Sequence, residues 1–151
     1  MQQLLVTRVG KRYAGWITAD LAEVVSAPKI FPLPAPFPCL AGTAFLRGKL
    51  ITVIDTFSLM EERRDPQPCE LLIQLAPPLS HLAVTIPSIE AVIHYGELNL
   101  REEEAGGIWA GLYPWEDVWV NVVKPSAVAA ELGRVMAASV RYQAAGREHA
   151  L

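Results

Sequence analysis

GTAFLRGKLITVIDTFSL, residues 42 to 59, lies without gaps on GLYPWEDVWVNVVKPSAV, residues 111 to 128, at an offset of 69. Both stretches begin with glycine, pass through a polar turn and continue as an alternating apolar strand, the pattern of a hairpin. Upstream, GWITADLAEVVS from Gly15 lies on AVTIPSIEAVIH from Ala83 at an offset of 68, which sets Leu21 on Ile89, Val24 on Val92 and Val25 on Ile93. Any two β segments joined by a turn match this loosely, so one pairing would carry little weight. Two pairings at nearly one offset point to an internal duplication. They predict two β modules, residues 12–60 and 80–125, with the outer segments free to cross over and pair across the boundary.

Other features agree with a mainly β chain. Short runs of Val, Ile and Leu broken by Gly, Pro or charge predict strands at 4–9, 13–18, 45–46, 50–55, 70–76, 81–86, 91–94 and 118–123. Lys11 and Arg12 are expected to form a hairpin turn, and Pro77 to Ser80 another, because proline removes a ladder donor. The loop EERRDPQP, residues 61 to 68, is the most polar stretch of the middle and the expected module boundary. A helix is expected over 126–143, with Ser126 as its N-cap after Pro125 and a stripe of Val128, Leu132, Val135, Met136 and Val140. Leu21, Val24 and Val25 alternate poorly and read as a short helical turn or bend before Pro28.

With 151 residues, 52% of them hydrophobic and 19% charged, the chain is read as a single domain over 1–145. A formal net charge of -3 leaves no electrostatic footprint for nucleic acid. No apolar run reaches the roughly 18 residues a membrane helix needs, so membrane insertion is not expected and a cytoplasmic location is. Cys39 and Cys69 stand thirty positions apart and the histidines at 81, 94 and 149 have no ligand spacing, so no metal is expected and both thiols are expected to be free. Ser58, Ser80 and Ser88 lie in no nucleophile elbow, no glycine loop is built to cradle phosphate, and His81 and His94 are expected to be packed in apolar strands.

The first module carries an ordered set of unlike elements: Leu21-Ala22-Glu23-Val24-Val25, the run PKIFPLPAPFP, Gly42, the tripeptide Leu46-Arg47-Gly48, and the strand Leu50 to Asp55 ending in Val-Ile-Asp. In these residues the chain resembles the CheW-like coupling proteins of bacterial chemosensory systems, from about residue 4 to about residue 132. The second module departs from that family's pattern: Pro87 stands at an acidic position, and Lys124-Pro125 where an Asp-Leu pair is common. The resemblance implies two SH3-like five-stranded β-barrels sharing a core, with a C-terminal helix. It also implies no catalysis and no cofactor. The implied role is adaptor, joining a chemoreceptor's cytoplasmic tip to the regulatory domain of a sensor histidine kinase. A diverged member serving pilus motility is an alternative, as is, from another class, a small β-barrel enzyme or ligand-binding protein with a pocket at His81 or His94.

Arg47 occupies the family's arginine and is the expected centre of partner binding, because a planar five-donor cation grips carboxylates and carbonyls in a way Lys49 cannot. Exposed pairing with a nearby carboxylate such as Asp55 is the plainer role and is worth about 0 to 1 kcal/mol. Gly48 permits the turn, and Gly42 and Leu46 frame it. Glu23 is a candidate rim contact beside Leu21 and Val24, at least two of Leu21, Val24 and Val25 being expected in the core. The prolines at 28, 32, 34, 36 and 38 predict a rigid extended connector on which Phe31, Leu33 and Phe37 line a partner surface. In the second module Trp119 is expected in the core and Trp115, beside Glu116 and Asp117, as an exposed anchor.

Overall fold

The computed structural model describes residues 2–34, 38–63 and 68–149, with side chains up to 137. Ten strands are present among them: β1 Gln2–Val9, β2 Arg12–Ile17, β3 Leu21–Ser26, β4 Leu40–Leu46, β5 Lys49–Ile54, β6 Leu71–Leu75, β7 Leu82–Ile86, β8 Ile89–Tyr95, β9 Trp109–Trp115 and β10 Val118–Val123. A short helix α1, Thr56–Leu59, follows β5, and α2, Pro125–His149, follows β10. They form two five-stranded sheets, ordered β8-β1-β2-β10-β9 and β3-β6-β7-β5-β4.

The duplication is visible in the pairing itself. Exchanging β1 through β5 for β6 through β10 turns one sheet order into the other. Thr52 pairs with Leu82 across the parallel β5–β7 contact, and Asn121 with Ala14 across the parallel β10–β2 contact. Ladder irregularities recur too: β3 skips Ala22 and β8 skips Glu90, while β4 skips Ala41 and β9 skips Ala110. A parallel pair cannot be joined by a tight turn, so each copy sends its first two strands into the sheet of the other. The crossing is deeper than the boundaries 12–60 and 80–125 imply. β2, inside the first span, lies in the sheet of β9 and β10, and β7, inside the second, lies with β4 and β5.

Burial explains why these runs are so apolar. In β1, Leu4 and Val6 enter the core of one sheet while Leu5 and Val9 enter the core shared by both, so the strand is covered on two faces. β7 behaves likewise, with Ala83 in the other sheet's own core and Leu82, Val84 and Ile86 in the shared one. Strands buried on both faces lose the polar alternation that a one-sided strand keeps. α2 lays Val128 and Leu132 on the shared core, whereas Met136 is exposed.

Several local expectations shift. The first hairpin turns at Gly10 and Lys11, since Val9 pairs with Arg12 and Gly10 supplies a φ of 62. Leu21 to Val25 form an edge strand rather than a helical turn. α2 starts one residue early, with Pro125 at the first helical position and the Lys124 carbonyl accepting from Ala127 and Val128, so Ser126 is inside the helix and does not cap it.

Candidate functional site

The β4–β5 hairpin reverses over Arg47 and Gly48, whose φ values of 52 and 77 are the pair a two-residue turn between twisted strands requires. Glycine takes that conformation freely; Arg47 takes it under strain and is held there by a partner. Its Nη2 donates to Oε2 of Glu23 on β3, with the Arg47 side chain 79% exposed and that of Glu23 only 19%. β3 and β4 are opposite edges of the same sheet, so this ion pair ties one edge to the hairpin at the other. The sheet therefore curls enough for side chains from its two edges to touch, without a ladder between β3 and β4. The Phe31 and Thr43 backbones exchange hydrogen bonds at 2.8 and 2.9 Å on the same side of β4.

Asp55 is not the partner of Arg47. It caps α1, accepting from the Phe57 N–H at 3.3 Å and from the Ser58 hydroxyl at 3.0 Å. Its carboxylate thus satisfies one of the N–H groups that a helix start leaves open.

Beside the ion pair lies an apolar surface. Phe31 and Phe45 meet edge to face with centroids 6.3 Å apart, Lys29 stands over the Phe31 ring at 5.1 Å, and Leu50, 59% exposed, is the cross-strand partner of Phe45. Phe45 and Leu50 escape a sequence reading because AFL before the turn is wholly apolar and LITV after it nearly so; only the register shows that Ala44 and Ile51 point inward and Phe45 and Leu50 outward. Val24 is exposed next to Glu23, whereas Leu21 and Val25 are half-buried against the cores, as is Leu46. Gly42 sits at the β4 irregularity with φ 147, where a Cβ would run into the Phe31 carbonyl. Phe37 lies outside the described residues.

The aromatic residues of the other sheet exchange their expected places. Trp115 is half-buried, edge-on to Tyr13 with centroids 5.9 Å apart, because Tyr13 and Trp115 both line that sheet's own core. Trp119 is exposed, with the Arg101 guanidinium 5.0 Å from its ring centroid. The alternation along β10 buries Val118's neighbours at 120 and 122 and turns 119 out.

His81 and His94 are exposed rather than packed. A cavity of about 450 Å3 opens beside His94, with Gln2, Tyr95 and Gly96. Among the described residues no serine, threonine or cysteine lines it. Neither cysteine forms a disulfide among the described residues, and burial pushes the Cys39 thiol up. Among the described residues no group of three His, Cys, Asp or Glu side chains is placed to hold a metal, and no helix is long and apolar enough to cross a membrane.

No family model and no curated protein matches the sequence. The backbone does have a solved counterpart, the scaffolding protein TtCheW from Thermoanaerobacter tengcongensis: TM-score 0.74, 19% identity, over 82% of this chain and 84% of that one. The fold is CheW-like. Most of the architecture is thus shared while most side chains differ, as expected where a fold depends on strand register and buried volume.

Proposed function

We propose that this protein is a non-catalytic chemosensory adaptor that joins a sensor histidine kinase's regulatory domain to a chemoreceptor's cytoplasmic tip. The observation that carries this reading is the Arg47 turn: an exposed guanidinium held at a strained hairpin tip by a half-buried carboxylate, beside exposed Phe31, Phe45 and Leu50. Such a tip offers a charge-assisted, geometrically fixed contact next to apolar anchors, the combination that concentrates binding energy in interfaces. Gly48 and Gly42 set its backbone, Leu46 seats it on the core, and Glu23 with Val24 extends the surface along β3. The half-buried Trp115 supports the second sheet from within.

An adaptor needs two surfaces of different chemistry, and the contrast between the hairpin tips supports this reading: Arg47 and Gly48 form one, with Lys49 beside it, and Glu116 and Asp117 form the other. The test is a titration of the chain with the kinase's regulatory domain and, separately, with the receptor tip. Arg47→Glu is expected to weaken one of these complexes at least about tenfold, which is about 1.4 kcal/mol, and Arg47→Lys to weaken it less. Unchanged binding of both partners by Arg47→Glu would sink the assignment.

A further inference from the structure

The two sheets and α2 do not close fully where they meet. A cavity of about 300 Å3 remains, lined by Arg12, Met60, Ile108, Trp109, Glu61 and Glu131 among others. Its wall is apolar and buried at Met60 and Ile108. Its chemistry is displayed by the chain's own Arg12, whose guanidinium lies 4.7 Å from the Trp109 ring centroid while Nε donates to Oε1 of Glu62 at 3.3 Å. Glu62 thereby neutralises Arg12.

The other carboxylates are differently placed. Glu61 is exposed, takes a φ of 55 at the end of α1, and makes no ion pair among the described residues. Glu131 accepts from Arg134 through both carboxylate oxygens, and the Arg134 side chain is mostly in solvent, so an incoming guanidinium would have to share or displace it. A nearby group registers the resulting field: the Cys39 thiol is pushed up by burial first and then by Glu131, Asp55 and Glu61.

We propose that this cavity receives an arginine side chain of a protein partner, with its aliphatic stem against Met60 and Ile108 and its guanidinium toward Glu61 and Glu131. The volume is at the lower end of ligand pockets, about 300 to 1,000 Å3, so it admits one long side chain rather than a folded element. A guanidinium is weakly hydrated and planar, which suits an aromatic and apolar wall, and its fork matches carboxylates. An uncharged apolar side chain would fill the space but strip water from the two glutamates without replacing it. The site lies away from both hairpin tips, so it would be a separate point of contact and does not depend on the role of Arg47.

The experiment uses the full chain and N-acetylarginine N-methylamide as probe, with the lysine and norleucine analogues beside it. Amide and indole proton–nitrogen correlation spectra follow Gly107 and the Trp109 indole. A saturable shift is expected with the arginine probe at millimolar concentration, about threefold weaker with lysine and absent with norleucine. The double substitution Glu61→Gln with Glu131→Gln is expected to weaken the arginine probe about fivefold, and Arg47→Glu to leave it unchanged. Three probes behaving alike, undiminished shifts in the double variant, or no shift at about 50 mM probe would each overturn the proposal. None of those results would bear on the Arg47 hairpin, which the partner titration tests.

Discussion

The β4–β5 and β9–β10 hairpins have the same backbone and opposite surfaces. Each reverses over two residues, the first at φ 52, namely Arg47 and Glu116. Each has a glycine of positive φ as the third residue of its first strand, Gly42 at 147 and Gly111 at 151, pressed against a bridging residue, Phe31 in one and Arg101 in the other. On their outer faces the cross-strand pair is Phe45 with Leu50 in one and Pro114 with Trp119 in the other. Arg47 has Glu23 as its partner, but the residue equivalent to Glu23 is Ala91, and Glu116 makes no ion pair among the described residues. Duplication preserved what register and packing demand and left the solvent-facing chemistry free to diverge.

The buried positions offer the largest effects with which to test that equivalence. Leu4 and Leu72 are equivalent, both fully buried, each in the core belonging to one sheet. Leu4→Ala and Leu72→Ala are each expected to cost about 2 to 5 kcal/mol in urea unfolding, through lost transfer energy and a residual cavity. Costs that differed by most of that range would show that one sheet tolerates collapse and the other does not, breaking the structural equivalence. Smaller losses, about 1 to 3 kcal/mol, are expected from Gly42→Ala and Gly111→Ala, because alanine is strained at those φ values and its Cβ has no room. At Gly111 that Cβ would stand 2.6 Å from the Arg101 carbonyl oxygen; at Gly42 it would press closer to that of Phe31. Gly42→Ala is therefore expected to be the costlier, and the reverse order would mean that the two bridges are not alike.

A further difference lies where β2 passes into β3: Asp20 in the first copy stands where Ser88 stands in the second. Burial holds the Asp20 carboxyl above its ordinary value, so folding favours its neutral form. The sign follows from linkage: the associated stability is fully present below the unfolded carboxylate pKa and is lost as pH rises through the raised folded one. Asp20→Ser, which makes the first copy like the second, is expected to remove that fall, so that stability rises more steeply with pH across the window between the unfolded and the raised folded carboxyl pKa. A slope unchanged by the substitution would assign it to other groups.

What a linear reading could reach follows the same division between core and surface. The duplication, its offsets and the crossing of outer strands were legible, because glycine positions and apolar runs record register. β3 was hidden by Glu23, an inward-tilted carboxylate in an edge strand whose partner, Arg47, is 24 residues away. β9 was hidden by Gly111 and Pro114, which break a strand pattern unless the strand is an edge and the glycine a bulge, as here. The place of Arg47 at a hairpin turn was legible from its motif. Its partner was not, since Asp55 is equally acidic and closer in sequence; the choice was made by the helix start that Asp55 caps.

The smallest expected effect isolates that ion pair. Arg47 and Glu116 share a φ of 52 at equivalent turn positions, so replacing either with glycine relieves the same backbone strain and adds the same unfolded-state freedom. Only Arg47→Gly also removes a partner from a half-buried carboxylate. Subtracting the stability change of Glu116→Gly from that of Arg47→Gly thus cancels the backbone contribution and leaves the Arg47–Glu23 interaction. For an exposed arginine the remainder is expected to be about 0 to 1 kcal/mol, measured by paired chemical unfolding at low and high salt. A remainder well above that range would make the pair a structural tie that closes the sheet. A value near zero, together with lost partner binding, would mean that Glu23 orients the guanidinium for an incoming partner and contributes little to the fold.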